Sequence, residues 1–359
     1  MDSSSGISAA PPGSGGPARS PGASRPGGRP RNALVVVVLA LLAALVPSTA
    51  SVATTTHATA ATLTAAEQRW GNDRLDQVTS LTTHNSFTNY EDSRWSSVNQ
   101  SESVRGQLDR GVRGLMLDTH WYEHSTGLCI ISFGSDCYPS DVYLCHGDCK
   151  AFAGVTYALP RQSFAATMQT VVDFLNANPL EVVTVFLEDY VDTDRLRRSL
   201  ERVRGLPELL FRPDTAGVRD TGWPRVADLV TANKRLLVFS DKPGKEGLGV
   251  MYDKEWTVQN YWSLGDLGND LACTSRWSDV PLNRTEPGFR RLFVMSHFRN
   301  VPTIGTAALD NGTKLRDRIA QQCGTAAGRS PNFVAVDFHR QSDGSGRSPA
   351  SIVAELNAG

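Results

Sequence analysis

Several residues able to do chemistry stand at or just beyond the ends of short apolar runs. His84 and Asn85 follow Val78–Thr83, and Asp118 closes Gly111–Asp118. His146 follows Val142–Cys145, Glu188 follows Val182–Leu187, and Asp337 lies at the end of the run at Phe333–Phe338. A pair of histidines suits general acid–base catalysis, because the imidazole reference pKa of ~6.5 lies near working pH. An asparagine amide oxygen and carboxylates are hard oxygen donors, the kind that can hold a metal ion. Arg113 belongs to the second run but alternates onto the face opposite Gly114, Met116 and Asp118, so a structural role is expected for it.

To bring such residues together, the runs must be strands that end at one place. Arg235–Ser240 and Leu292–Ser296 add two more, and the later runs are almost continuously apolar, as strands buried on both faces are. Helical patterns fall between them. Phe164, Met168, Val171, Val172 and Leu175 make an amphipathic helix that should stop before Pro179. Leu196–Val203, Lys314–Cys323 and Ile352–Leu356 are shorter helical stretches. Strand–helix alternation predicts an α/β fold with parallel strands, either a barrel or a doubly wound sheet. In a barrel, residues at the carboxyl ends of the strands share one mouth. The long segment Asp241–Arg291, with Trp256, Tyr261, Trp262, Cys273 and Trp277, is expected to be an ordered excursion over that mouth.

The chain has 359 residues, is 40% hydrophobic and 20% charged, and carries a formal charge of −1. That fits a globular protein with a sizeable core and no clustered basic surface, so nucleic acid is not an expected partner. Residues 1–32 are a Pro/Gly/Ser-rich leader of a composition that cannot build a core. Residues 33–53 hold the apolar run Ala33–Val46 followed by small residues, read as the h-region and cleavage region of a secretory signal. The run is shorter than the ~20 residues of a bilayer span, although an uncleaved signal anchor with the barrel outside is the alternative. A linker at 54–68 would lead into one globular domain, 69–359. Six cysteines in an exported chain read as three disulfides, and proximity suggests Cys129–Cys137, Cys145–Cys149 and Cys273–Cys323.

Absent motifs narrow the chemistry. There is no Gly-x-Ser-x-Gly elbow, P-loop or dinucleotide-binding glycine motif. His120-Trp121-Tyr122-Glu123-His124 formally matches an inverted zinc-protease pattern, but that pattern needs a helix, and here it continues a strand.

The blocks Leu81–Phe87, Gly111–Asp118, Leu144–His146, Phe186–Val191 and Pro331–Phe338, running into Ser342-Asp343-Gly344, occur in order. Together they resemble the phosphatidylinositol-specific phospholipase C X-domain, in particular its exported, cysteine-containing branch. The resemblance implies a distorted TIM barrel and a phosphoric diester hydrolase that works through a cyclic phosphodiester. It puts His84 and His146 on the catalytic histidines. Asp337, at the end of the last run, is expected to orient a histidine through its ring N–H. It also puts Asn85, Asp118 and Glu188 on ligands of a divalent metal, Ca2+ in the calcium-dependent members. Metal-free members have an arginine where Asp118 stands. Met116 departs from the family, standing where those calcium enzymes have a further glutamate ligand. Phe239 and Asp241 stand where members specific for inositol polyphosphates carry lysines, which disfavours a multiply phosphorylated headgroup. The expected partner is a phospholipid or other phosphodiester, met in transient contact with a membrane surface by a secreted monomer. A glycerophosphodiester or other phospholipid phosphodiesterase, a sphingomyelinase-like enzyme, and a non-catalytic lipid- or glycan-binding barrel are the alternatives.

Overall fold

A computed structural model describes residues 65–92, 98–124, 138–146, 149 and 162–358. All of them fall in one compact unit, Ala50–Gly359. The expected leader, signal segment and most of the expected linker, and the expected Cys129–Cys137 pair, lie outside the described residues.

The strands are β1 (Ser80–Thr83), β2 (Gly114–Tyr122), β3 (Asp141–Leu144), β4 (Gln162–Ser163), β5 (Val183–Asp189), β6 (Leu236–Ser240), β7 (Val250–Tyr252), β8 (Thr257–Gln259), β9 (Leu292–His297) and β10 (Phe333–Val336). They form one sheet whose main path is β7-β6-β5-β2-β1-β10-β9-β8, with every neighbouring pair parallel. Among the described residues β7 and β8 do not pair, and the helical turn Asp253–Trp256 links them directly. The architecture is therefore an α/β half-barrel, the distorted TIM barrel expected.

Period-two alternation divides the strand side chains between two cores. Leu115, Leu117, Val183, Val185, Leu236 and Val238 pack outward, in the cluster that includes Met168 and Leu175 of the helix Phe164–Ala177. Leu237, Phe239, Val294 and Phe333 fill the interior, with Met116 and Phe186 packed against them. Both faces of these strands are thus covered, which is why they read as continuous apolar runs. Ser163 caps the helix Phe164–Ala177 by accepting from the Ala166 N–H, and the helix stops at Asn178, ahead of Pro179.

Two expectations need correcting. The third run does not join the parallel path: β3 pairs antiparallel with β2 and with β4, as a short ribbon at the barrel's edge. Lys314–Cys323 is not a uniform α-helix. Thr313–Asp317 is α-helical and Arg318–Cys323 continues as π-helical turns. There the buried Arg318 donates to the carbonyls of Leu271, Ala272 and Ser296. Among the described residues no helix is long and apolar enough to cross a membrane.

Candidate active site

The carboxyl ends of the parallel strands open into a cleft of about 700 Å³. His84, Asn85, Asp118, His146 and Glu188 all line it, so five of the six residues singled out in the sequence share one cavity. The sixth, Asp337, lies just behind it.

His84 follows β1 directly, and its backbone N–H donates to the Val336 carbonyl of β10. Its Nδ1 lies 3.0 Å from Asp337 Oδ1. Asp337 is 2% exposed, and a buried carboxylate facing an imidazole nitrogen selects the tautomer in which Nδ1 donates. Nε2 is then the atom left for chemistry. Asn99 donates to the same Asp337 oxygen at 2.9 Å and accepts from the Thr88 hydroxyl. Gln100 donates to the carbonyls of His84 and Val336, tying the His84 backbone to β10. Phe298 lies flat against the imidazole, with ring centroids 3.6 Å apart and planes 2° from parallel. Neither Asn99, Gln100 nor Phe298 was selected from the sequence. Each comes from a loop or strand end with no periodic signal, and only the fold brings it to His84.

His146 stands exposed beyond the antiparallel ribbon, two residues past the end of β3. Desolvation by the cleft, and then the nearby His84, hold its pKa below the ordinary imidazole value, against the opposing charges of Glu188 and Asp337. The Cys145–Cys149 disulfide closes the chain around it, as expected, and the Cys273–Cys323 disulfide is also present.

The acidic side of the cleft is built by register. Asp118 and Glu188 are direct partners across β2 and β5, and Asp241 follows β6. Asp118 is 5% exposed; burial first, then Glu188 and Asp241, push its carboxyl well above the usual carboxylate range. Asn85 adopts a left-handed backbone (φ 42°), which asparagine tolerates, and its buried Nδ2 has no hydrogen-bond partner. The amide oxygen of Asn85 and the carboxylates of the buried Asp118 and the exposed Glu188 line one cleft, and oxygens of this kind suit a hard cation. Among the described residues, however, no three His, Cys, Asp or Glu side chains are grouped to hold an ion. The set is an amide and two carboxylates, with Met116 lining the wall where a third could have stood. The Tyr190 hydroxyl donates to Glu188, and that bond, with burial, raises the phenol pKa.

Other expectations resolve into structure. Asp189 faces away from Glu188 into a buried ion pair with Lys245, and also accepts from Thr119 and Ser240. Arg113 donates to Glu181 at 2.8 Å and packs over Phe174, as its face predicted. His120 stacks on Tyr190 within a strand, so the inverted zinc-protease pattern has no helix to stand on. Asp253, Gln259 and Arg276 form a polar wall in the cleft. Burial raises the Asp253 pKa to about 7 although Arg276 opposes it, and Asp253 Oδ1 has no partner.

The family model described as PI-PLC X 1 matches residues 71–348. A PI-PLC X domain-containing protein of Arabidopsis thaliana is 31% identical over 283 residues, 76% of this chain and 60% of that protein. Two proteins of Arthroderma benhamiae are also similar. One, described as an uncharacterized secreted protein, is 22% identical over 72% of this chain and 56% of its own length. The other, PI-PLC X domain-containing protein 1, is 26% identical over 68% and 75%. The chain thus spans less than two thirds of the first two relatives. Among solved structures, a variant of the phosphatidylinositol-specific phospholipase C from Staphylococcus aureus aligns with TM-score 0.48 and 13% identity, covering 80% of this chain and 93% of that one. The corresponding enzyme from Listeria monocytogenes aligns with TM-score 0.45 and 12% identity, over 80% and 94%.

Proposed function

The chain belongs to the PI-PLC X domain family, and from that premise we propose that it is a secreted phosphoric diester hydrolase cleaving phosphatidylinositol-type phospholipids. The observation that carries the reading is the pair of histidines lining one cleft, with His84 Nδ1 held by the buried Asp337. His84 Nε2 takes the proton from a substrate hydroxyl adjacent to the phosphate. The hydroxyl oxygen attacks phosphorus, the bond to the lipid oxygen breaks, and His146 delivers a proton to that leaving oxygen. A cyclic phosphodiester and a diacylglycerol result. Because the nucleophile already belongs to the substrate, orientation supplies much of the rate.

Asn85, Asp118 and Glu188 are the residues that would hold a divalent cation, calcium by the hardness of their oxygens. When bound, the ion would offset negative charge on the phosphate. Asp253, Gln259 and Arg276 offer hydrogen-bonding groups to hydroxyls of a headgroup, and acidic Asp241 and Asp253 disfavour a ring carrying extra phosphates. Tyr261, Trp262 and Val301 line the cleft yet remain well exposed, 48%, 42% and 68%, a rim suited to transient contact with a lipid surface. Two disulfides and a relative described as secreted support an extracellular setting.

Phosphorus NMR of the products tests the reading. With phosphatidylinositol in mixed micelles a cyclic phosphodiester resonance should appear, and phosphatidylcholine should give none. Hydrolysis of glycerophosphodiesters without turnover of phosphatidylinositol would assign the site to the other substrate class. Calorimetric titration with calcium tests the cation separately: heat of binding that is lost in Asp118→Asn supports it, and no binding by the parent protein removes it.

A further inference from the structure

His84 is held at one edge by Asp337, but one hydrogen bond leaves an imidazole free to rock about the axis of that bond. The face of the ring is held by a different element. Phe298 follows β9 directly, is 4% exposed, and lies 3.6 Å from the imidazole with its plane only 2° away. Trp262 lies near-parallel to Phe298 in turn, 6.5 Å between centroids and 20° between planes, and is 42% exposed at the rim. The backbone fixes this column as well as the rings do. Ser263 bridges to Phe298 in parallel register, and the Leu264 N–H donates to the Phe298 carbonyl at 2.8 Å. The segment that carries Trp262 is anchored in turn by the Cys273–Cys323 disulfide and by Arg318, which donates to the carbonyls of Leu271 and Ala272.

We propose that Phe298 is a positioning residue that sets the plane of the His84 imidazole, with Trp262 backing it from the rim, so that Nε2 is aimed into the cleft. The proposal rests on His84 being the base of the diesterase reading. Asp337 decides which nitrogen carries the proton; Phe298 decides where the other nitrogen points. An edge bond and a face contact together leave the ring no soft rotation. The contact is also chemically selective. A flat aromatic face matches both neutral imidazole and imidazolium, whereas a branched aliphatic chain of similar bulk offers no plane to align with.

The test uses Phe298→Leu and Phe298→Tyr in the full exported protein. The Tyr variant keeps the face, and its hydroxyl can extend into the cleft that Phe298 lines. Two readouts are taken: kcat and KM on phosphatidylinositol, and the downfield proton resonance of the His84 Nδ1–H, assigned by its absence in His84→Gln. In Phe298→Leu, kcat should fall by about 10- to 100-fold, the scale of small misplacements of a reacting group. KM should stay within about twofold, since Asp253, Gln259 and Arg276, which face the headgroup, are unchanged. The Nδ1–H resonance should broaden as the ring gains freedom to exchange with water. Phe298→Tyr should restore both. A Leu variant with parental kcat and a sharp resonance overturns the proposal, and so does a Tyr variant as impaired as the Leu one. A kcat loss that tracks a fall in melting temperature with the resonance unchanged also overturns it, by making the role one of packing. If the parent protein turns over no phosphodiester, the functional reading fails while the resonance still decides whether Phe298 holds the ring.

Discussion

The two histidines differ most in how they are held. His84 is fixed by Asp337, Asn99 and Phe298, whereas His146 stands at the rim and makes no hydrogen bond within the described residues. Their electrostatics differ too. In the reaction proposed, His146 must carry a proton to give it to the leaving oxygen. A pKa held below the ordinary imidazole value means the protonated form is lost earlier as pH rises. The alkaline limb of kcat/KM, which reports the free enzyme, should therefore fall at a lower pH than an unperturbed histidine would give. A limb displaced to higher pH would assign the proton to another group. Replacing Glu188 with Gln removes one of the charges that favour the imidazolium, so the limb should move further down.

Buried polar pairs fix the ends of the elements that carry the site. The clearest is Lys245 with Asp189, where the ammonium also donates to the Val191 carbonyl at 2.7 Å and both side chains are nearly inaccessible. It ties the end of β5, with Glu188 and Tyr190 on either side of Asp189, to the segment after β6. Lys245→Met would leave the carboxylate buried without its counter-charge, which destabilises by about 3–5 kcal/mol. Denaturant unfolding should show that loss, and adding Asp189→Asn should recover part of it. A Lys245→Met protein of parental stability would mean that Asp189 is compensated without the lysine, by protonation or by its bonds from Thr119 and Ser240. Glu188 was legible in the sequence as a residue at a strand end, and it is the structure that shows Asp189 beside it facing the other way. That one of them closes an ion pair with a lysine 56 residues on was not legible, because no local pattern encodes it.

At the scale of the molecule, strands of four residues or more announced themselves and shorter ones did not. β5, β6, β9 and β10 are covered on both faces and appear as apolar runs at nearly the right bounds. β7 and β8, Val250–Tyr252 and Thr257–Gln259, are too short to show a period, so the Asp241–Arg291 segment read as a single excursion. The direction of β3 was missed because apolar content does not distinguish parallel from antiparallel pairing. The same limit applies to Phe298 and Asn99, whose roles depend on contacts across the sheet. The remainder of that segment, from Asn260 onward, reaches the cleft with Tyr261, Trp262 and Arg276 and is pinned by Cys273–Cys323. That bond spans 50 residues of sequence, and a loop of that size contributes roughly 4 kcal/mol by the chain-entropy argument. The double change Cys273→Ser/Cys323→Ser should lower the melting temperature clearly, and an unchanged melting temperature would show that packing alone holds the segment.

The most direct measurement is phosphatidylinositol cleavage by the purified protein beside its His84→Ala and His146→Ala variants, with thermal unfolding followed on the same samples. Acid–base catalysis at one cleft predicts release of a cyclic phosphodiester by the parent. Each variant should lose at least about 100-fold of that activity, within the 10²–10⁴ range of a general acid or base, while melting close to the parent. Parental rates in both variants, with folding intact, would contradict the account.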